Sequence, residues 1–458
     1  MSTASQDLAV GQIATAPEIS PELLRLARLA PKPTTLAQTG LSLTFLADLL
    51  GKHLLTAGVL TTSALIERLS LAGPIVSQIL NFMRAEGRVE VRSRQGMDAD
   101  LRYGLTEKGR HEANDAMARG GYVGPAPVPL ADYVALVGKQ SVHGHRVTRE
   151  AVHEAFAGIV ISGELLDRLG PAMNSRRAIF LYGHAGTGKT FTARKLASLL
   201  GGLVLVPHAI AVNETVVEIF DPLCHEQLAF SDPPPAALLE QGFDTRYAAC
   251  ERPIVLVGGE LSADMLELQF DPSSRSYSAP IQLKANNGFL LIDDLGRQRV
   301  DPTVLFNRWI VPMDLRQDSL MTNRGHHFRV PFDLVLVFST NLRPQDLADQ
   351  AFLRRLGYKI ELVPVEPGQY KQIWQRVCAE RGVAYDGGLV DYVVEQLHRR
   401  RHVPLLPCHP RDLVGIALDR TSYLGRNHID TETLRWAWDN YFLHQDEGEF
   451  GIKDSIRG

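Results

Sequence analysis

The residues best suited to chemistry lie at 183–190 and read Gly-His-Ala-Gly-Thr-Gly-Lys-Thr. An apolar run at 178–182 leads into them and the segment 191–200 follows, which predicts a strand, a glycine-rich turn and a helix. Such a turn directs backbone N–H groups and the positive end of a helix dipole at one small volume that suits a triphosphate. Lys189 would place positive charge near the terminal phosphates, and the Thr190 hydroxyl would bind Mg²⁺. The predicted contacts to ATP are Gly183, His184, Ala185, Gly186, Thr187, Gly188, Lys189 and Thr190.

Two carboxylates end the apolar stretch 288–294, which reads Gly-Phe-Leu-Leu-Ile-Asp-Asp. This pattern is typical of a buried strand that carries acids to the carboxyl edge of a sheet. Asp293 would complete the Mg²⁺ site with Thr190, and Asp294 would polarise the water that attacks the γ-phosphate. The alternative is that the two acids merely cap the next helix, and the phosphate loop upstream disfavours it.

Further polar side chains follow apolar segments downstream. Asn341 comes after the strand predicted at 334–338 and would orient the same water. Arg354 and Arg355 stand at an otherwise apolar helix end, from which either could reach the γ-phosphate of a neighbouring subunit. Arg411 begins a helix near the carboxyl terminus and could bridge back to the nucleotide. The pairs Cys224-His225 and Cys408-His409 lack the ligand spacing of a zinc site, so no other metal is expected.

Taken in this order, the motifs resemble those of the AAA+ ATPase family over about residues 140–445. The resemblance assigns Walker A to 183–190, Walker B to 289–294, sensor 1 to Asn341, the arginine finger to Arg354 or Arg355, and sensor 2 to Arg411. It implies an α/β P-loop core whose parallel sheet has helices on both faces, followed by a helical lid. It also implies hydrolysis of ATP to ADP and phosphate in a homo-oligomeric ring, usually a hexamer.

Two departures from the family pattern bear on its branch and its rate. Asp294 replaces the commoner Glu, looks like the version in helicase-loader and transposition-helper ATPases, and favours slow hydrolysis. Hairpins predicted at 265–283 and 319–330 resemble those of the pre-sensor-1 branch, which includes MoxR-like proteins. Contacts to a partner are expected from the second hairpin, with an exposed charged turn as the alternative; they are Arg324, His326, His327 and Arg329.

The amino-terminal part reads as three helices at 43–55, 62–71 and 73–84, then a hairpin with a turn at 95–100. This order resembles a winged-helix domain. Because polar side chains lie on its third helix and a basic cluster lies at the wing, DNA contact is one possible role of this domain. Docking of a protein is the second, and a purely structural spacer is the third. The polar and basic residues are Ser77, Gln78, Asn81 and Arg84 on the helix, and Arg88, Arg92, Arg94 and Arg102 at the wing.

Composition shifts divide the chain into six segments. A flexible start at 1–37 precedes the winged helix at 38–120, and a Gly/Pro-rich linker at 121–139 precedes the nucleotide-binding domain at 140–364. A helical lid at 365–446 and a flexible tail at 447–458 complete the predicted organisation.

Length and charge limit the functional class. The 458 residues exceed one ordinary core, and the formal net charge of −4 gives no general affinity for nucleic acid or membranes. No apolar run is long enough to span a bilayer, and neither a signal peptide nor a disulfide framework is evident, so a cytoplasmic protein without membrane insertion is expected.

These observations favour a ring ATPase that remodels or loads a macromolecular partner, with an unidentified protein as its client. An ATP-gated DNA-binding regulator or loader with slow hydrolysis is the alternative. A small-molecule kinase is disfavoured, because it would leave Arg411 and the lid without a role.

Overall fold

The computed structural model describes residues 21–94, 101–144, 146–228, 242–347 and 350–442. The expected flexible tail, the first twenty residues and the predicted wing turn at 95–100 lie outside the described residues. The described chain divides into two compact units. The first unit holds the described residues up to 139 together with those of 202–251 and 270–278, and the second holds the others.

Three helices and a small antiparallel sheet lie in the first unit. The helices Leu43–Ala57, Thr62–Leu69 and Gly73–Ala85 pack their apolar faces into one core. The first two begin at hydroxyl caps, because the side chains of Ser42 and Thr61 each accept a hydrogen bond from a backbone N–H three residues later. The sheet places Leu101–Leu105 between Leu60–Thr61 and Val89–Arg94, and the helix Glu107–Arg119 follows. The three helices and the hairpin follow one another as expected, whereas the short strand Leu60–Thr61 between the first two helices was not expected. The winged-helix assignment remains a prediction.

The rest of the first unit is built from segments distant in sequence. The strands Leu203–Pro207 and Tyr247–Glu251 pair with each other, and the remaining strands form a five-stranded sheet. In sheet order these are Gln269–Asp271, Ser276–Ser278, Thr215–Glu218, Ala209–Val212 and Val128–Pro129. The helices are Pro21–Leu29, Leu36–Thr39 and Leu130–Lys139.

This arrangement differs from the expected segment boundaries. The described residues of 202–251 and of 270–278, expected in the nucleotide-binding domain, lie in the first unit, and the expected linker contains a strand and a ten-residue helix. The physical reason is burial: Leu26, Val128, Leu205, Phe243 and Ala249 form one apolar cluster whose members come from four separate segments. Leu26 also shows that part of the expected flexible start is packed, since its side chain is fully buried.

A five-stranded parallel sheet organises the second unit. Its strands are β1 (Ile179–Tyr182), β2 (Ile254–Val257), β3 (Phe289–Ile292), β4 (Val335–Thr340) and β5 (Tyr358–Glu361). They lie in the order β2-β3-β4-β1-β5, and every neighbouring pair is parallel. All residues of β3 and β4 are buried, as expected for central strands of a sheet covered on both faces.

Helices and one hairpin complete the second unit. Strands Gln317–Met321 and His327–Pro331 form the predicted antiparallel hairpin. Helices of the α/β part include Arg149–Ala155, Gly163–Asn174, Lys189–Ala197, Ile281–Lys284, Pro302–Leu315, Pro344–Leu347 and Gln350–Leu353. Short 3₁₀ turns lie at Val142–Gly144, Ser198–Leu200 and Ala263–Leu266.

The carboxyl-terminal segment is helical, with its own apolar core that contains Trp374 and Trp438. Its elements are Pro367–Glu380, Gly387–Tyr392, a π-helical stretch Val393–Arg399, His409–Tyr423 and Thr431–Tyr441. The fold class is therefore the predicted one, an α/β core with a parallel sheet and a helical carboxyl-terminal segment. Within the described part of the chain, no helix has the length and apolar character needed to cross a membrane.

Candidate nucleotide site

The turn after β1 depends on its glycines. Gly183, Gly186 and Gly188 have φ angles of 141°, 83° and 88°, a region that residues with a side chain rarely adopt. A Cβ on Gly183 would lie 2.2 Å from the carbonyl oxygen of Leu362, and one on Gly186 would lie 2.5 Å from Sγ of Cys408. The loop therefore fits against its neighbours as bare backbone and forms a cradle ahead of the helix Lys189–Ala197.

Lys189 lies at the centre of this cradle and is 6% exposed. Its Nζ donates to the carbonyl oxygens of Gly183 (2.9 Å) and His184 (2.8 Å) and to Oδ1 of Asn341 (2.7 Å). Burial lowers the pKa of Lys189, while Asp294 and Asp293 act in the opposite direction. The ammonium thus joins the loop to the end of β4.

The acidic pair lies beside the loop because the carboxyl ends of adjacent parallel strands share one edge of the sheet. Thr190 donates from Oγ1 to Oδ2 of Asp293 at 2.7 Å. Asn341 donates from Nδ2 toward Oδ1 of Asp294 at 3.4 Å. The structure therefore brings together Lys189, Thr190, Asp293, Asp294 and Asn341, which sequence analysis placed in one site.

This donor set fits a magnesium-bound triphosphate. A threonine hydroxyl and a carboxylate in contact are oxygen ligands of the kind Mg²⁺ takes, with phosphate and water completing its shell. No group of three His, Cys, Asp or Glu side chains that could hold a metal by itself occurs among the described residues.

Gln298, which no sequence motif indicated, holds the turn after β3. Asp294 has a φ of 49°, in the left-handed region. Nε2 of Gln298 donates to the carbonyl oxygens of Asp293 (2.7 Å) and Asp294 (3.2 Å), and its Oε1 accepts from the backbone N–H of Gly296 (2.8 Å). From β4, the Thr340 hydroxyl donates to the carbonyl oxygen of Leu295 at 2.7 Å. The glycine at 296, shortly after the acids, was the one sequence signal of a tight turn here.

The start of the helix His409–Tyr423 lies against the phosphate loop, since Cys408 immediately precedes it and faces Gly186. Arg411 is in the first turn of this helix and is exposed. Tyr441 donates from its hydroxyl to Asp412 at 2.9 Å, which ties this helix end to the last helix of the segment.

Arg354 and Arg355 are not part of this cluster. They follow the helix Gln350–Leu353 and line a cavity with Ala178, the residue that precedes β1. The phosphate loop follows the other end of β1, so the two arginines lie at the opposite edge of the sheet. Arg355 donates from Nε to Asp314 at 2.8 Å, and Arg354 is exposed. Arg324, His326, His327 and Arg329 are exposed on the hairpin, two of them beside its tip at Gly325.

The strand order and the glycine loop together define the class of the second unit, an α/β P-loop core with a helical carboxyl-terminal segment. A family model described as "Domain of unknown function (DUF8689)" matches residues 366–440, within that helical segment. No curated protein matches the chain.

Solved structures with similarity include RuvB of Thermotoga maritima, described as a Holliday junction branch migration motor. It is 16% identical over 65% of this chain and 76% of that chain, with a TM-score of 0.36. The ORC2 protein of Aeropyrum pernix, in its ADP form, is 13% identical over 64% and 68% of the two chains, with a TM-score of 0.32. At these TM-scores neither likeness bears on what this chain does, and the class rests on the strand order and the loop.

Proposed function

We propose that this chain binds Mg-ATP at the carboxyl edge of β1, β3 and β4 and hydrolyses it to ADP and phosphate. The observation that carries the proposal is the convergence of Lys189, Thr190, Asp293, Asp294 and Asn341 at one sheet edge. Their mutual contacts at this edge support the roles proposed for them. Mg²⁺, when bound, would neutralise phosphate charge as it develops.

The residues divide into a binding set and a reacting set. The backbone N–H groups of 183–190 and Lys189 hold the phosphates, and Thr190 with Asp293 holds the cation. Asp294 accepts hydrogen bonds from the attacking water, and Asn341 orients that water from the neighbouring strand. Because Asp has a shorter side chain than Glu, Asp294 reaches less far, and this supports a slow turnover. Arg411 contributes a cation from the helical segment above the loop.

Assembly into a ring, with a hexamer as the expected size, completes the proposed mechanism. Arg354 and Arg355 lie at the sheet edge away from the phosphate loop, so neither serves the nucleotide of its own chain. Arg354 is the better finger for a neighbouring nucleotide, because Arg355 is already paired with Asp314. A finger of this kind is worth roughly 10³ to 10⁵ in rate in related phosphoryl-transfer systems.

The partner that we propose is a protein client, docked through the winged-helix-like part of the first unit or the exposed hairpin around Gly325. Arg88, one of the basic residues expected at the wing, supports a protein client over DNA. It is 6% exposed and forms ion pairs with Asp48 (2.8 Å) and Glu112 (2.6 Å). Arg92 pairs with Glu90 at 2.8 Å. These charges are occupied within the fold, and phosphate contacts need charges that are available.

One observation supports DNA binding as the second candidate. Ser77, Gln78, Asn81 and Arg84 are all exposed on the third helix, as a recognition helix requires. If this helix reads DNA, retention on duplex DNA at low salt should fall with added salt and should be lost in an Arg84→Ala/Asn81→Ala variant. Absence of retention at low salt would leave the protein client as the remaining proposal.

The proposed activity is tested by steady-state ATP turnover of the full chain. Lys189→Ala should abolish nucleotide binding, Asp294→Asn should keep binding and lose turnover, and Arg354→Ala should lose turnover while binding is retained. Arg376→Ala removes an exposed arginine of the helical segment and serves as the matched control. Wild-type turnover in the Lys189→Ala and Asp294→Asn variants would refute the proposal.

A further inference from the structure

Five arginines converge on a cavity of ≈ 330 Å³ in the second unit. The cavity lies at the amino edge of the parallel sheet, next to Ala178 before β1 and to Leu334 and Leu336 at the start of β4. The arginines that line it are Arg176, Arg177, Arg316, Arg354 and Arg355. Among the described residues that line it, Asp314 is the one carboxylate. Five positive charges therefore face one negative charge.

Arg176 and Arg316 are anchored by a neutral residue. The guanidinium of Arg176 donates to the carbonyl oxygen of His143 at 3.0 Å, and Arg316 donates to Nε2 of the same residue at 2.9 Å. Burial and the nearby Arg316 lower the pKa of His143 to about 4, so its ring is uncharged at neutral pH and accepts this hydrogen bond. The anchor fixes the two guanidiniums without cancelling their charge.

Asp333 is a second carboxylate that acts on this cluster. It lies 3.8 Å from Nε2 of His143, and its oxygens accept hydrogen bonds from Ser141, Val142 and Asn287. Counting both Asp314 and Asp333 against five arginines still leaves an excess of three positive charges. A bound anion would reduce the repulsion among these cations.

The backbone also holds the arginines at this place. Arg176 and Arg316 have φ angles of 57° and 58°, a region in which Gly or Asn is usual. Gly357 leaves room for Arg177, because a Cβ there would lie 2.5 Å from Cβ of Arg177. Met313, Phe332 and Leu334 supply apolar walls, which strengthen electrostatic attraction inside the cavity.

We propose that this arginine cavity binds an oligophosphate, a chain of two or three phosphoryl groups. Guanidinium groups match phosphate oxygens in bidentate geometry. The three or four negative charges of an oligophosphate would balance the excess positive charge, which is four with Asp314 alone and three with Asp314 and Asp333. The volume is at the small end of ligand sites, which suits such a group.

The oligophosphate cannot be the one bound by the phosphate loop of the same chain. The four residues of β1 separate the cavity from that loop, and a strand of this length spans roughly 13 Å. The ligand therefore comes from one of two sources, the nucleotide of a neighbouring subunit or a free oligophosphate. The inference depends on the proposed function for the first source alone.

Inorganic tripolyphosphate is the probe, titrated by calorimetry into the full chain carrying Lys189→Ala, which disables the phosphate loop. One tripolyphosphate should bind per chain, and added NaCl should weaken the binding. Adding Arg177→Gln or Arg316→Gln should weaken it about tenfold or more each, because each removes a charge-assisted contact. Arg376→Gln, which removes an exposed arginine of the helical segment, should leave the tripolyphosphate affinity within about twofold of that of the chain carrying Lys189→Ala alone.

Mixed subunits distinguish the sources. Lys189→Ala chains supply an intact cavity, and Arg177→Gln/Arg316→Gln chains supply an intact phosphate loop. Recovery of ATP turnover on mixing would assign the cavity to a neighbour's nucleotide, whereas retained tripolyphosphate binding without recovery would assign it to a free ligand. The calorimetry measures tripolyphosphate binding and requires no ATP hydrolysis. Its result can therefore be interpreted even if the chain proves not to hydrolyse ATP.

Tripolyphosphate binding that is absent, or that is equally strong in the Arg177→Gln, Arg316→Gln and Arg376→Gln backgrounds, would overturn the inference. Because Arg177 is exposed, Arg177→Gln is expected to fold, and it tests the inference even if Arg316→Gln fails to fold.

Discussion

Replacing Gln298 should separate catalysis from nucleotide binding. Its amide makes three hydrogen bonds to the turn that carries Asp294, two as donor and one as acceptor. At about 1 kcal/mol net for each bond, the clamp contributes about 2 to 3 kcal/mol. A left-handed residue such as Asp294 costs roughly 1 to 2 kcal/mol, so the clamp is of the size needed to hold it.

Without the clamp, the turn should relax toward negative φ and carry the Asp294 carboxylate away from the water that it orients. A loss of about 2 kcal/mol in the population of the competent turn corresponds to roughly a 30-fold fall in kcat. Gln298→Ala should therefore lower kcat about 10- to 100-fold. ATP affinity should stay within about twofold, because Gln298 makes no hydrogen bond to residues 183–190 in the described contacts.

Gln298→Glu is the sharper variant. Its carboxylate keeps the size of glutamine and can accept from the N–H of Gly296, but it cannot donate to the carbonyl oxygens of Asp293 and Asp294. It should therefore behave like Gln298→Ala. Arg297→Ala, which removes an exposed side chain in the same turn, is the control. Turnover would be followed by steady-state phosphate release and ATP binding by calorimetry. Wild-type kcat in Gln298→Glu would refute this reasoning.

Three further perturbations follow from the structure. Gly186→Ala should weaken ATP binding about 10-fold or more, because the new Cβ would lie 2.5 Å from Sγ of Cys408 and the backbone has a φ of 83° there. Adding Cys408→Ala should restore part of the ATP affinity, measured by calorimetry. A double variant that binds ATP no better than Gly186→Ala would show that backbone strain alone weakens binding. The helical segment should lose stability as the pH falls from about 6.5 toward 4. Burial lowers the pKa of His398 to about 4 and that of His409 to about 3. In this pH range both histidines are therefore protonated in the unfolded chain but neutral in the folded chain, which favours unfolding. At pH 5 the loss of stability amounts to about 2 kcal/mol for each histidine. Thermal melting would be followed by the fluorescence of the buried Trp374 and Trp438, and equal melting temperatures at pH 7.5 and pH 5 would contradict this prediction. Arg88→Ala should lower the thermal stability of the first unit by leaving Asp48 and Glu112 without this partner, while retention on DNA at low salt should not change; selective loss of DNA retention in a folded variant would instead assign Arg88 to phosphate contact.

Most of the nucleotide site was predictable from the sequence because its signals are local. The spacing of Gly183, Gly186 and Gly188 reports the backbone conformation directly, since those φ angles exclude most other residues. The acids after the apolar run at 289–292 were predicted to lie at a sheet edge, and the rule that carboxyl ends of parallel strands share an edge placed Asn341 beside them. The roles of these residues in catalysis remain predictions.

The sequence by itself determined the identity and order of the P-loop elements, because glycine conformation, apolar strands and helix caps each depend on a few neighbouring residues. The tertiary structure decided what depends on contacts between distant segments. It placed the described residues of 202–251 with the first unit through a shared apolar cluster, buried Arg88 between two carboxylates, and brought Gln298 into contact with the backbone of Asp294. It also gathered five arginines from three segments around one cavity. Side chains far apart in sequence meet through packing and strand pairing, and no local pattern encodes that meeting.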